Sequence, residues 1–490
     1  MADTTIGNTN LEGVASLRWI DAIIACVIIY VALDNLPLHS SLWLDETLTY
    51  WIASGSLEDA WRRAIQFQGQ SPLYYLIVWG ILQVFPDSDL MLRVFSVVCG
   101  CVALVGFRLF IPVSSRLPLP MTLIASCALA TDSFQRALIS ARPYAFAIAC
   151  ATFSMYLFAQ WMKSQRATFL VGWILCTALT VYAHYLFGVI VIAQLCYFFL
   201  QRPFDFRQLV RITAACAALG ILLIPGFSQL YSLSLRSSVL QLVGAPSFTE
   251  VCAAMLPPPL LVLVAVGVTL GVIWGGKFAP EEHSRALFPL ALVWSFVPVV
   301  IFALGSLLTP TSLFVSRYWS WQVGGLALLV TLAVSSLSTA RARRIAFYVV
   351  VLGMLFRVAG QQWTVEGWRE AAQELSKNPT TPVVLFSGLI EAEDSEFYRQ
   401  SEALPYLRAP LARYGGRNSS ERVIQPVGLS ANAFQVQSLP LEEFLLLAAR
   451  GRRGGGVSPG AFVERLTSGG RRVELLGEFG TLSLYRVGAS

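Results

Sequence analysis

The feature that most limits this chain is a series of apolar segments between residues 16 and 358. They lie at roughly 16–37, 91–111, 118–132, 143–161, 168–186, 186–201, 209–231, 250–275, 286–306, 319–337 and 344–358. A helix needs about 20 mostly apolar residues to cross the hydrocarbon of a bilayer, and somewhat fewer when polar groups are buried in a bundle. About eleven such segments point to an α-helical polytopic membrane protein, with 11–13 transmembrane helices as the expected range. Composition agrees, since 56% of residues are hydrophobic and 13% are charged, against about 25% charged in ordinary soluble domains. The nine cysteines all fall in apolar runs without C-x-x-C spacing, as small core residues do. The start MADTTIGNTN lacks a basic region and cleavage site, so the first apolar segment reads as a retained span.

Orientation follows from Lys and Arg, which are enriched in cytoplasmic loops. With the N-terminus (1–15) cytoplasmic, alternate loops hold Arg108 and Arg116, then Lys163 and Arg166, then Arg202, Arg207 and Arg211, then Lys277 and Arg285, then Arg341, Arg343 and Arg344. These loops account for the net charge of +6 and leave no reason to invoke nucleic acid. The segment Pro72–Phe85 (PLYYLIVWGILQVF) is too short to cross and would invert every later loop if it did. It is expected to lie on the outer surface, within a long loop over 38–90.

That loop carries two helix signals. Asp45 is placed to N-cap a short helix through Trp51, and Ser56-Leu57-Glu58-Asp59 has capping-box spacing before a helix running towards Gln68. The loop is expected to lie on the membrane with Trp43, Trp51 and Trp61 at headgroup depth. From about residue 360 the composition changes. EGWREAAQEL (366–375) has a helical pattern, TPVVLFSG (381–388) a buried-strand pattern, Gly451–Gly456 a turn composition, and GTLSLYRV (480–487) an alternating strand pattern. This predicts a small α/β domain over 360–490, outside the cell or in the periplasm, following a membrane domain over 16–359.

The topology gathers unusual polar residues at one membrane face. They are Asp45, Glu46, Gln68, Gln70 and Ser71, then Asp132, Arg136, Arg142 and Tyr144, then His184 and Tyr185, and last Arg317 and Tyr318. Charged groups at membrane depth are costly and mark functional sites by default. Single members have plainer readings: Asp45 as a helix cap, the arginines as snorkelling side chains, His184 as a core residue. No metal-ligand spacing is present, although Asp45 with Glu46 could hold a divalent ion. There is no P-loop, no dinucleotide-binding fingerprint and no His-Glu-x-x-His, so a group-transfer enzyme here would draw an activated donor from the membrane itself.

The stretches WLDETLTYW, SPLYYLIVWGILQVFPDSDLMLRVFSVVCG, SARPYAF, AHYLFG and SRYW resemble the GT-C glycosyltransferases, in particular bacterial proteins related to protein O-mannosyltransferases and to the aminoarabinose transferases of lipid A. The resemblance covers most of 15–360. The sequence departs from the family pattern at Gln70-Ser71-Pro72 and at Ala141, the position before Arg142 where an acid is common; this leaves Asp132 as the candidate second-loop acid. The resemblance implies inverting transfer of one sugar from a polyprenyl-phosphate carrier to an acceptor on the outer face of the inner (plasma) membrane, the acceptor being protein, lipid or polysaccharide. It implies Asp45 as general base, Glu46 holding acceptor or shaping the loop, and Arg142 and Arg317 on the donor phosphate. Gln70, Tyr74, Asp132, Tyr144, His184, Tyr185 and Tyr318 would line the substrate cavity, with no cofactor required. Two rivals remain at this point. A transporter or flippase of a lipid-linked sugar predicts helices broken at the bilayer midplane and inverted repeats. A non-catalytic envelope assembly protein leaves Asp45, Arg142 and Arg317 unexplained.

Overall fold

A computed structural model of the chain describes residues 6–68, 70–112, 115–117, 119–201, 205–235, 245–309, 313–393, 397–427, 439, 442–449 and 459–489. Arg202 and the turn at Gly451–Gly456 lie outside them. Each expected apolar segment contains a helix, and the assembly is a polytopic membrane bundle. Asp89–Arg108, Tyr144–Ser164, Phe206–Tyr231 and Glu282–Leu308 are each long and apolar enough to span. Trp19, Ile23, Ile221 and Phe356 project outward rather than into the core, as lipid-facing side chains do. The first helix, Ile6–Asp34, starts earlier than the expected span.

Several segments depart from the expected form; within 319–337, for example, the α-helix Val323–Ser335 has 13 residues. The one over 118–132 is a ten-residue helix, Pro120–Leu129, almost wholly buried. At 1.5 Å per residue it is about 15 Å long, half the hydrocarbon thickness, and its backbone is shielded by protein instead of lipid. The one over 250–275 is broken into Phe248–Met255 and Pro258–Ile273, bent by 52°. The cause is Pro257-Pro258-Pro259, three residues with no N–H to continue the ladder. The boundary expected at 186 is a break at His184, where Ala167–Ala183 ends and the 3₁₀ turn Tyr185–Val189 begins.

The basic loops gather at one end of the bundle. Arg116 pairs with Glu281 at 2.9 Å, Arg211 donates to the Gln165 carbonyl at 3.3 Å, and Lys163, Gln208 and His283 line a shared cleft. Asp89–Arg108 runs about 30 Å from this end to the one where the long loop and the tail meet.

The loop folds as Leu44–Ala53, Leu57–Arg63 with a π turn over Ala64–Gln68, and Leu73–Val84. The capping box forms as expected: Asp59 N–H donates to Ser56 Oγ at 3.1 Å, and Ser56 N–H to Asp59 Oδ2 at 3.2 Å. The first helix is capped differently. Its N-cap is Trp43, whose N–H donates to Glu46 Oε2 at 3.0 Å, and Asp45 sits inside the first turn.

The tail is a five-stranded sheet. Strands β1 (Val383–Phe386), β2 (Val423–Val427), β3 (Phe444–Ala449), β4 (Val473–Phe479) and β5 (Leu482–Val487) lie in the order β2-β1-β3-β5-β4. β1 pairs parallel with β2 and β3, whereas β5 is antiparallel to β3 and β4. Strand periodicity sorts the side chains into two faces. Val384, Phe386, Leu446 and Val487 pack under the helix Pro459–Ser468. Val383, Leu385, Leu445, Leu447 and Leu484 join one apolar cluster with Leu44, Leu48, Trp51, Ile52, Phe67 and Tyr75 of the loop.

The loop's apolar side is therefore covered by the tail. Trp51, expected at headgroup depth, is buried between Phe67 and the tail's Tyr406, at ring distances of 5.1 and 5.5 Å; Trp61 remains exposed. Polar contacts seal the seam. Asp89 accepts from Arg369, from Arg413 at 3.0 Å and from Tyr414 at 2.7 Å, and Glu402 pairs with Arg62 and Arg63 at 2.8 and 2.7 Å.

Asp89→Ala removes the buried acceptor shared by Arg369, Arg413 and Tyr414, although Arg413 keeps Asp87. It is expected to cost about 1–3 kcal/mol of docking, seen as faster limited proteolysis of the detergent-solubilised chain. The Glu402 carboxyl is held below its ordinary range, first by the Arg63 hydrogen bond. Its contribution is present above the ordinary glutamate value of about 4.3 and is lost as pH falls through the depressed value. Proteolysis is therefore expected to quicken on that acid side, and Glu402→Gln is expected to remove this pH dependence.

Candidate active site

The centre of the site is built around Glu46, which is fully buried. Its oxygens accept from Arg93 Nη2 at 2.6 Å and Nε at 3.0 Å, from Trp43 N–H, and from Ala141 N–H at 2.7 Å. Arg93 also donates to the carbonyls of Pro37, Leu38, Ser40 and Ser41 at 2.9–3.1 Å. One ion pair thus ties the connection after the first helix, the start of Leu44–Ala53, and residue 141.

Fixing Ala141 to Glu46 brings Arg142 beside Asp45. Arg142 is buried and donates to the Asp45 carbonyl and to Thr49 Oγ1, both at 3.3 Å, and to the Tyr75 hydroxyl. Arg317 comes from the 3₁₀ turn Ser316–Tyr318, and its Nη1 lies 3.0 Å from Asp45 Oδ2. The two guanidiniums repel each other, and against the single Asp45 carboxylate they leave a surplus of positive charge.

Aromatic rings wall the site. His184, almost fully buried, has its ring centroid 5.2 Å from Tyr144 and 5.7 Å from Tyr318, and Arg317 lies over the Tyr318 ring at 5.3 Å. His184 Nδ1, Arg317 Nε and Gln70 Oε1 are buried without a partner among the described residues. Such atoms cost roughly 1–3 kcal/mol each unless something binds them.

The structure thus brings Asp45, Arg142, Tyr144, His184, Arg317 and Tyr318 together. Gln70 and Tyr185 form a separate link: the Tyr185 hydroxyl donates to Gln229 Oε1, and Gln229 Nε2 donates to the Gln70 carbonyl at 3.3 Å. Tyr74 is buried one ring behind Tyr75, at 5.8 Å. Asp132 is placed elsewhere. It pairs with Arg357 at 2.7 Å and lines a separate cleft. Arg136 lies over Trp363 at 5.7 Å. Among the described residues no group of three or more His, Cys, Asp or Glu could hold a metal ion, and both Glu46 oxygens are taken by protein donors.

With this geometry in view, comparison with solved structures is decisive for the fold. ArnT from Cupriavidus metallidurans in the apo state superposes with a TM-score of 0.55 at 12% identity, covering 95% of this chain and 97% of ArnT. The chain has the fold of ArnT. ArnT bound to undecaprenyl phosphate matches with a TM-score of 0.53 at 11% identity, covering 96% and 98%. The ArnT likeness extends over the bundle and the C-terminal sheet together. No protein-family model matches the sequence, and no curated protein does.

Sequence reading missed Arg93, Thr49, Tyr75 and Tyr406. Arg93 carried a signal, a lone charge within an apolar helix. Tyr406 carried none: only the tail's docking brings it within electrostatic reach of Asp45 and Arg142, its hydroxyl donating to Glu391 Oε1 at 3.2 Å.

Arg93→Ala leaves Glu46 as an unpaired buried charge and is expected to destabilise the chain by about 3–5 kcal/mol, measured by thermal unfolding in detergent.

Proposed function

We propose that this chain is an integral membrane glycosyltransferase that moves one sugar from a polyprenyl-phosphate carrier to an acceptor at the outer face of the membrane, with inversion. The observation that carries the proposal is the convergence of Arg142 and Arg317 on Asp45. Two guanidiniums with one carboxylate suit a phosphate leaving group, since each can fork onto phosphate oxygens. The ArnT fold supports the reading, because one ArnT structure holds undecaprenyl phosphate.

In the proposed step, an acceptor hydroxyl oxygen attacks the anomeric carbon and its proton passes to the Asp45 carboxylate. The bond from that carbon to the phosphate oxygen breaks, and its electron pair leaves with the carrier phosphate, whose charge Arg142 and Arg317 meet. A phosphate beside Arg317 competes with Asp45 for the guanidinium. Glu46 and Arg93 position Asp45, while Tyr144, His184 and Tyr318 form the wall. The helix Leu73–Val84, with Val84 and Phe85 exposed, would guide the prenyl chain. The reading calls for no cofactor. It places the basic loops and the N-terminus in the cytoplasm, with the tail outside the inner (plasma) membrane.

Asp45→Asn is expected to lower transfer by about 10²–10⁴-fold while inserting normally, so that one product sugar disappears and its carrier accumulates. Mass spectrometry of envelope glycans and polyprenyl-phosphate sugars reads both. Unchanged transfer by the variant would remove Asp45 from the mechanism.

A further inference from the structure

The cleft that takes Asp132 contains none of the groups that meet at Asp45. It has a volume of about 350 Å³ and lies at the break between Phe248–Met255 and Pro258–Ile273, a size ordinary for small-ligand sites. Its apolar lining includes Pro257, Pro258, Pro259, Leu260, Leu326 and Met354. The prolines have no backbone N–H to offer a ligand.

Its polar lining includes Asp132, Arg357 and Gln322. Arg357 Nη2 is 2.7 Å from Asp132 Oδ1, and its Nε donates to the Ala130 carbonyl at 3.0 Å. Both side chains remain accessible, 33% for Arg357 and 54% for Asp132, so the cleft is offered a positive and a negative group side by side. Gln322 is 4% exposed. Its Nε2 donates to the Ala254 carbonyl at 3.1 Å, whereas its Oε1 is buried without a partner among the described residues. That oxygen requires an N–H or O–H donor. Beside the cleft, Leu261, Val262 and Phe356 project outward as lipid-facing side chains.

We propose that this cleft binds a membrane phospholipid whose headgroup joins a phosphate to a primary ammonium, a phosphatidylethanolamine. The phosphate meets Arg357, the ammonium meets Asp132 and Gln322 Oε1, and an acyl chain follows the Pro257–Leu260 lining toward Phe356. Charge complementarity selects the occupant. A glycerol headgroup carries the phosphate but brings no second cation to Asp132, which would share Arg357 with that phosphate, and a trimethylammonium brings the charge but no N–H for Gln322. Ser316 and Trp319 also line the cleft and flank Arg317 in sequence. A lipid seated there buttresses the turn that delivers Arg317 to Asp45. The binding proposal does not rest on the reaction assigned above.

The test is native mass spectrometry of the full-length chain in detergent, titrated in turn with phosphatidylethanolamine, phosphatidylcholine and phosphatidylglycerol of the same acyl chains. The expected result is retention of phosphatidylethanolamine about tenfold tighter than either other lipid, the scale of one charge-assisted hydrogen bond. Asp132→Asn, at a half-exposed position, is expected to bring it to the level of phosphatidylcholine with thermal unfolding unchanged. Equal retention of the three lipids by the unaltered chain, or a preference that persists in Asp132→Asn, overturns the proposal.

Discussion

The buried pair of Glu46 and Arg93 is the interaction on which the geometry at Asp45 depends. Taking two charges out of water costs several kcal/mol per ion, and their attraction repays this only when the remaining hydrogen-bonding capacity is filled. Here it is filled by backbone from two parts of the chain: Arg93 gathers four carbonyls of the connection after the first helix, and Glu46 takes the N–H groups of Trp43 and Ala141. Neither residue reaches the solvent. Their effect is to fix where two neighbours stand, Asp45 one residue from Glu46 and Arg142 one residue from Ala141.

The tail supplies the second constraint. Leu44 N–H, a donor in the first turn of a helix with no partner of its own, donates to Glu366 Oε2 at 2.6 Å, and the Glu366 carbonyl accepts from Ser41 Oγ at 2.5 Å. Glu366 is pinned in turn by the β4–β5 hairpin, since Gly367 N–H bonds to the Phe479 carbonyl and Thr481 N–H to the Val365 carbonyl at 3.1 and 3.0 Å. Gly480 makes this possible. Its φ is +59°, and a Cβ there would stand 1.9 Å from the Val365 oxygen. The sheet thereby reaches the helix carrying Asp45 through backbone, while Tyr406 covers the same helix through Trp51.

What could be read from the sequence followed from how local each signal is. The helical segments were legible because apolar runs of bilayer length have few alternatives, and the Ser56 capping box because both its bonds span three residues. β1 and β5 were legible as apolar and alternating patterns; β3 (FLLLAA) was not, because a short apolar run fits a strand or a buried helix equally. Asp45, Arg142 and Arg317 could be grouped because an alternating topology puts their loops on one face. The partners of Glu46 and the cover over Trp51 could not be read, since both depend on contacts between distant parts of the chain. The break at Leu256 is a different case: 250–275 reads as one span, although three successive prolines lie within it.

The tail's contacts also set a time order. Leu44 bonds to Glu366, 322 residues later, and Leu42 to Tyr414, 372 residues later. The helix bearing Asp45 leaves the ribosome hundreds of residues ahead of these partners, which it acquires only after the apolar segment over 344–358 has been made. Contacts so distant in sequence are the slow ones to form. Until then Asp45 stands on an unfinished scaffold, and the later-made sheet is what completes it.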